Sequence, residues 1–146
     1  MDGACIVSAL TFTVHSEPVG KGRHRTIRNG ARAGHSYTPK RTTDAQNAIA
    51  AAFGAVAHPE GFNPLDGAVR LEVSARFAIP KSASKKRRAE LMGTPCLKKP
   101  DGDNILKLVG DALNGLAYHD DAQVSDCHIT KRWSFASSVT VTVGAL

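Results

Sequence analysis

Residues 69–80 read Val-Arg-Leu-Glu-Val-Ser-Ala-Arg-Phe-Ala-Ile-Pro. Val69, Leu71, Val73, Ala75, Phe77 and Ile79 alternate with polar or small residues without a break, and a two-residue period places all six side chains on one face of a strand. Such a face must be buried, so the stretch implies a sheet with another layer packed on it. The alternation predicts a strand over 69–79, closed by Pro80, which cannot donate to a ladder.

Working outward, Pro59, Gly61, Pro64 and Gly67 mark the loop that leads into this strand. Before it, Ala45, Ala48, Ile49, Ala52, Phe53 and Val56 recur at helical spacing, and Thr43 with Gln46 has the form of a capping box, which predicts a helix over 43–57. Ala-Leu-Thr-Phe-Thr-Val at 9–14 alternates as a first strand. The Gly-, Arg- and His-rich stretch from Pro18 to Lys40 reads as a loop or loose hairpin ending at Ser36-Tyr37-Thr38-Pro39. Downstream, Ser82 or Ser84 opens a short basic helix over 82–92, stopped by Gly93 and Pro95. Ile105, Leu106, Val109, Leu113 and Leu116 then form a helical stripe, which predicts a helix over 104–115 with Gly115 near its end. Strands over 122–133 and 137–143 follow, and the tight Ser-Phe-Ala-Ser connection between them reads as a hairpin. Helices and strands mix without a steady β-α-β rhythm. The expected fold class is α+β, a mixed β-sheet with helices packed on it, as a single domain spanning residues 1–146.

A chain of 146 residues with 42% hydrophobic content can bury a core without staples. No apolar run is long enough to cross a membrane, and the start of the chain lacks the basic-then-apolar pattern of a secretion signal. Three cysteines, Cys5, Cys96 and Cys127, fit neither a disulfide framework nor a zinc knuckle, so a cytoplasmic location is expected. The net charge of +6 favours an anionic partner, and the charges are segregated. Lys21, Arg23, Arg25, Arg28, Arg32, Lys40 and Arg41 form one basic block; Lys81, Lys85, Lys86, Arg87, Arg88, Lys98 and Lys99 form a second, opposed only by Glu90. From Asp101 to Asp126 the sign reverses, with Asp101, Asp103, Asp111, Asp120, Asp121 and Asp126 against Lys107.

Phosphodiester hydrolysis needs an activated water and a stabilised leaving oxygen, and carboxylate-held divalent ions supply both. Asp101 and Asp103, two apart, leave the same side of an extended chain and can clasp one ion; the plainer alternative is that either one caps the following helix. Asp120 and Asp121 form a second acidic pair, whose plain alternative is a polar turn. Lys107 lies one helical turn after Asp103, within reach of a bound phosphate, or in a simple surface ion pair. Asp111, a further turn on, reads as a salt-bridge partner or a supporting group.

Together, Lys99-Pro-Asp-Gly-Asp-Asn-Ile-Leu-Lys107, then Asp111-Ala-Leu-Asn-Gly115, then Tyr118-His-Asp-Asp-Ala-Gln-Val124 resemble the RusA family of Holliday junction resolvases. In that family a basic-Pro-Asp-x-Asp-Asn motif opens a helix bearing a lysine one turn on, and an Asp-Asp-x-Gln-Val motif follows. Asp101, Asp103 and Lys107 match the first motif; Asp121, with Asp120 beside it, matches the second. Pro18, Lys21, Arg23, Arg25 and Tyr37-Thr38 are similar to the family's early basic segment, while 44–97 contributes little. The resemblance implies a homodimer that binds four-way junction DNA and nicks two strands symmetrically, using Mg²⁺ or Mn²⁺. On that basis Asp101, Asp103 and Asp121, with Asp120 beside them, are the expected metal ligands, and Lys107 stabilises the phosphate. Lys21, Arg23, Arg25, Lys85, Lys86, Arg87, Arg88, Lys98 and Lys99 are the expected DNA contacts, holding the backbone by counterion release.

A geometric tension accompanies this expectation. A helix over 104–115 carries the chain about 18 Å from Asp103, and residues 116–121 can return at most about 20 Å. Asp121 rejoins Asp103 only if that segment doubles straight back; otherwise a partner subunit supplies it, and the single-subunit site is the preferred expectation. His119 reads as a solvated loop histidine, Cys127-His128 lacks the partner pair that zinc requires, and Tyr118 lacks the arginines that a covalent nucleophile would need. Trp133 and Phe135 read as core or dimer contacts. Two competing functions stay open: a related nuclease acting on flaps or forks, and a catalytically silent DNA-binding protein.

Overall fold

The computed structural model describes residues 9–146, so Cys5 lies outside the described residues. In chain order the elements are β1 (Leu10–Val14), β2 (Arg25–Thr26), β3 (Ser36–Tyr37), α1 (Lys40–Glu60), β4 (Val69–Ala78), α2 (Lys85–Leu91), α3 (Gly102–Leu113), a 3₁₀ turn (Asp121–Gln123), β5 (Val124–Ser134) and β6 (Ser138–Ala145). β1, β6, β4 and β5 form one mixed sheet in that order, and β2 and β3 pair separately as a short ribbon. The architecture is the α+β class expected from the alternating pattern.

The strand over 69–78 is central because its apolar face is complete. Val69, Leu71, Val73, Ala75 and Phe77 are all buried, flanked by Val139, Val141 and Val143 of β6 and by Leu10 and Phe12 of β1. Helix α1 covers this face with Ile49, Phe53 and Ala57, and α3 with Ile105, Leu108, Val109 and Leu113. Phe53 meets Phe12 edge-on at 5.9 Å and Phe62 at 5.5 Å, so truncating Phe53 to alanine would cost about 3–5 kcal/mol. The opposite face is polar. Thr11 bonds Thr142 at 2.8 Å and Thr13 bonds Thr140 at 3.0 Å across β1 and β6.

Three sequence expectations need correction. First, β5 and β6 are not a hairpin: β4 lies between them, parallel to β5 (Val73↔Ile129) and antiparallel to β6 (Val73↔Val141). The ten-residue β4 bonds on both sides, while the more polar β5 takes the edge; the Ser134–Ser137 connection crosses the end of β4 and bonds it, Ala78 N–H to Ser137 Oγ at 3.1 Å and Ile79 N–H to Ser134 C=O at 3.0 Å. Second, α1 starts at Lys40 behind Pro39, and the Thr43–Gln46 capping box is not used. Thr42 and Thr43 N–H turn onto Pro39 C=O instead, and Thr42 Oγ1 accepts from Gly22 N–H at 3.0 Å. The helix also runs on to Glu60, where Gly61 at φ 63 lets Phe62 N–H reach Ala57 C=O and lays the Phe62 ring against Phe53. Third, α3 starts and ends two residues early, so Leu116 is exposed and no part of the stripe.

Candidate active site and nucleic-acid interface

The start of α3 is held from two sides. From below, Gly102 lies on β5, where an added Cβ would meet Ile129 at 3.5 Å and Lys131 at 3.8 Å. From the side, the Pro18–Arg23 segment runs against it: a Cβ on Gly20 would stand 2.9 Å from Pro100 Cβ and 3.0 Å from Asn104 Cβ, and Lys21 N–H donates to Asn104 C=O at 3.0 Å. Only glycine permits that approach.

Asp101 occupies the N-cap position with extended backbone, yet its side chain makes no capping hydrogen bond. Its carboxylate faces Lys99 Nζ at 3.1 Å instead. Asp103 lies in the first helical turn and is exposed, so the pair does not share a face through strand alternation as expected. Both carboxylates stand at the positive end of the α3 dipole, where negative charge is favoured. Lys107, one turn beyond Asp103, is exposed.

Beside Asp101 opens a cleft of about 730 Å³, walled by Lys21, Arg23, Arg25, Arg41, Lys98 and Lys99, with Pro18 and Phe77 among its apolar lining. The predicted DNA contacts are not equivalent within this surface. Arg23, Arg25, Lys85 and Lys86 are exposed. Lys21 is ion-paired with Asp111, which gives Asp111 the salt-bridge role expected of it, though with a different partner from Lys107. Arg88 donates to Ala83 and Lys81 carbonyls, and Arg87 stands 3.5 Å from Glu90. Lys98 and Arg41 each lie 3.9 Å from Glu17.

The chain does double back after α3. Asn114 ends the helix, Gly115 at φ 81 turns, and Tyr118 returns alongside so that its hydroxyl donates to Gly110 C=O at 2.7 Å. Tyr118 is fully buried; burial pushes its phenol well up, and the charges of Asp121 and Asp111 push it further. A buried phenol bonded to a carbonyl is an anchor and no nucleophile. The 3₁₀ turn that follows is fastened by Gln123, whose Oε1 accepts from His119 and Asp120 N–H, both at 2.9 Å. Its Nε2 donates to Leu65 C=O at 2.8 Å and Gly67 C=O at 2.9 Å. Asp120 completes the capping box by accepting from Ala122 N–H at 2.9 Å. That bond, and a hydrogen bond with Asp121, hold the Asp120 carboxyl below its usual range; the same Asp120 contact, with lesser help from burial and the charges of Asp120 and Asp111, holds Asp121 above it.

Asp121 therefore sits within electrostatic reach of Asp111, and Asp111 is eight residues, about 12 Å along the helix axis, beyond Asp103. Among the described residues, no three His, Cys, Asp or Glu side chains gather closely enough to hold a metal ion. The expected single-subunit cluster is thus not formed by one chain: Asp101 and Asp103 stand at one end of α3, Asp120 and Asp121 toward the other. Two carboxylates with oxygen donors still suit Mg²⁺, which keeps several waters and takes one or two carboxylates alongside substrate phosphate.

Sequence reasoning passed over Lys131 and gave no individual role to Arg41, named only within its basic block, or to Gln123, quoted only within its motif. Lys131 reaches across the site's edge, donating to Lys98 C=O at 2.6 Å and lying 5.5 Å from the Phe77 ring centre; nothing in a strand pattern singles it out. Arg41 sits on the cleft wall only because α1 begins early. Gln123 was legible, since Asp120-x-x-Gln123 is itself a capping-box signature. Of the minor candidates, His119 bonds Asp66 at 2.9 Å, Cys127 and His128 are exposed, and Trp133 packs partly on the core. Phe135 is 83% exposed and so not a core residue, because the connection that carries it lies outside the sheet.

The family model described as Endodeoxyribonuclease RusA matches residues 15–144. The chain is also 36% identical over 142 residues to "Uncharacterized protein YqaN" of Bacillus subtilis (strain 168), covering 94% of this chain and 96% of that protein. No helix among the described residues is long and apolar enough to cross a membrane.

Proposed function

Because the chain belongs to the RusA family of endodeoxyribonucleases, we propose that it is a Mg²⁺-dependent (or Mn²⁺-dependent) cytoplasmic nuclease that resolves Holliday junctions by paired symmetric nicks during DNA recombination and repair. The observation that supports this reading is the pair Asp101 and Asp103, two carboxylates at the start of α3 that make no capping hydrogen bond, Asp101 lining the basic cleft and Asp103 following it in the first helical turn. Exposed carboxylates at a helix N-terminus, next to cations suited to phosphate, are free to take a divalent ion together with a phosphate of the strand.

Asp101 and Asp103 would hold the metal ion, which when bound supplies a Lewis acid and a hydroxide source. Lys107 places its ammonium where it can hold a phosphate oxygen of the scissile bond. Arg23, Arg25, Lys85, Lys86, Lys98 and Lys99 hold the backbone on either side and position it without reading sequence. Asp121, separated from Asp103 along α3, serves the site of a second copy, so the homodimer is needed for chemistry as well as for matching the two-fold junction.

The test is Asp103→Asn. Junction binding in the presence of Ca²⁺ should be unchanged and Mg²⁺- or Mn²⁺-dependent cleavage should be abolished; full cleavage by the variant would overturn the assignment. Running four-way junctions beside flaps, forks and duplex at one salt concentration separates junction resolution from a related nuclease. A wild-type protein that binds junctions and leaves them whole in both metals would instead be a silent binding protein.

A further inference from the structure

The outer edge of β5 is covered over only part of its length. Cys96 N–H bonds Lys131 C=O at 3.0 Å, Trp133 N–H bonds Thr94 C=O at 2.9 Å and Gly93 N–H bonds Trp133 C=O at 3.0 Å, so the 93–96 segment seals the end of the strand. Main-chain groups alternate in direction along a strand, so Cys127 and Ile129 point theirs the same way as Lys131 and Trp133. Among the described residues these groups have no main-chain partner, and β5 is the last strand on its side of the sheet. The open stretch, Val124 to Thr130, contains neither the Lys nor the Pro that commonly protects an edge, and the register shift at Ser125 leaves Asp126 to Thr130 as regular strand.

We propose that this edge is the dimer interface, closed by β5 of a second copy running antiparallel about a two-fold axis at Cys127. The proposal rests on the homodimeric reading above and adds to it the surface and the register. The open stretch is seven residues long with Cys127 at its middle. A two-fold there sets Asp126 opposite the partner's His128, and His128 opposite the partner's Asp126, so that the Asp126–His128 contact already made within each chain at 3.0 Å, with Arg70 3.8 Å from Asp126, extends into a symmetric carboxylate–imidazole network. A shift of the axis by one residue sets Asp126 against the partner's Asp126, or His128 against the partner's His128, so the sequence is self-complementary in one register. In that register the partner chain leaves the edge at Val124, where the 93–96 segment begins. Its Asp120–Asp121 turn then arrives beside the strand that leads to Lys98 and Asp101, at the end of β5 on which Gly102 is seated. That is the end of α3 where one chain lacks a third carboxylate.

Cys127 is exposed and reports the contact directly. Directly opposed residues stand about 5.5 Å apart between Cα atoms, within disulfide range, whereas Ser125 and the partner's Ser125 would be about 14 Å apart. Mild oxidation of the wild-type dimer with copper phenanthroline should give a covalent dimer that Cys127→Ser abolishes, and Ser125→Cys in the Cys127→Ser background should give none. Cys127→Pro removes only an outward N–H, so sedimentation should show a folded monomer with its circular dichroism intact and with junction cleavage lost. A wild-type dimer that neither cross-links through Cys127 nor dissociates in Cys127→Pro would overturn this interface and leave the homodimeric reading standing. A wild-type protein that sediments as a monomer at every concentration would overturn both.

Discussion

Replacing Gln123 with alanine isolates the link between the turn after α3 and the acid that it presents. The side chain makes four hydrogen bonds, two accepted from main-chain N–H groups of its own turn and two donated to the loop before β4. Each is worth about 0.5–1.5 kcal/mol net, and water can replace those in exposed positions, so the sum is about 2 kcal/mol. For a domain of this size that lowers the melting temperature by roughly 4–8 °C. The turn should loosen without melting β4 or α3, so single-turnover cleavage at 20 °C, corrected for the folded fraction, should fall while junction affinity holds. Gln123→Glu should be worse, because it faces two carbonyl oxygens with a carboxylate in place of an amide donor. Differential scanning calorimetry and a gel-based cleavage assay read the two effects. An unchanged melting temperature would refute the hydrogen-bond reasoning, and a destabilised protein with full corrected cleavage would show that the placement of Asp121 is immaterial.

Gly20→Ala should destabilise by about 1–3 kcal/mol and slow cleavage, because its methyl would displace Pro100 and Asn104 next to Asp101; a thermal melt and a rate within error of wild type would contradict this. Arg23→Ala should lower the slope of log binding constant against log salt by about 1, whereas Lys21→Ala, whose ammonium is held by Asp111, should change it little; equal slopes for the two variants would count against the division. Asp121 keeps its proton to higher pH than an ordinary carboxyl, mainly through its hydrogen bond with Asp120. The proposed metal-dependent cleavage would need it ionised, so on that reading the rate should fall on acidification earlier than for an isolated carboxylate. Asp120→Asn retains the cap and removes that shared bond, so the acid limb of the pH–rate profile, measured with saturating Mn²⁺, should move to lower pH; an unmoved limb would refute the coupling.

The fold was legible where burial is one-sided. The strict alternation over 69–79 and the stripe through Ile105, Val109 and Leu113 each identify an element, because only one period buries those side chains. The error over β5 and β6 arose because pairing partners are not a local property: both strands read correctly, and nothing in either states that β4 is inserted between them. Helix ends were misplaced for a similar reason. Lys40 to Thr42 carry no apolar stripe, and their helical state depends on Pro39 and on Gly22 approaching from another part of the chain. At the site, residue types were legible and distances were not. A spacing along the chain cannot say that Tyr118 bonds back to Gly110, nor that this return still leaves Asp121 beside Asp111.

The acidic stretch is quieter in the isolated chain than its sequence suggests, and the manner of its quieting bears on the chemistry. Asp111 is neutralised by Lys21, Asp120 by its own turn, and Asp121 by the bond it shares with Asp120. Asp101 has only Lys99, at 3.1 Å, and the lysine side chain is 85% exposed. A solvated pair of that kind contributes less than about 1 kcal/mol. A divalent cation at Asp101 would therefore meet little resistance from Lys99, whose ammonium would remain on the wall of the cleft, free for a phosphate of the strand to be cut. The firmer partners sit on Asp111 and Asp120, and the weak one sits on Asp101 at the start of α3, which is the acid that the proposed function assigns to the metal ion.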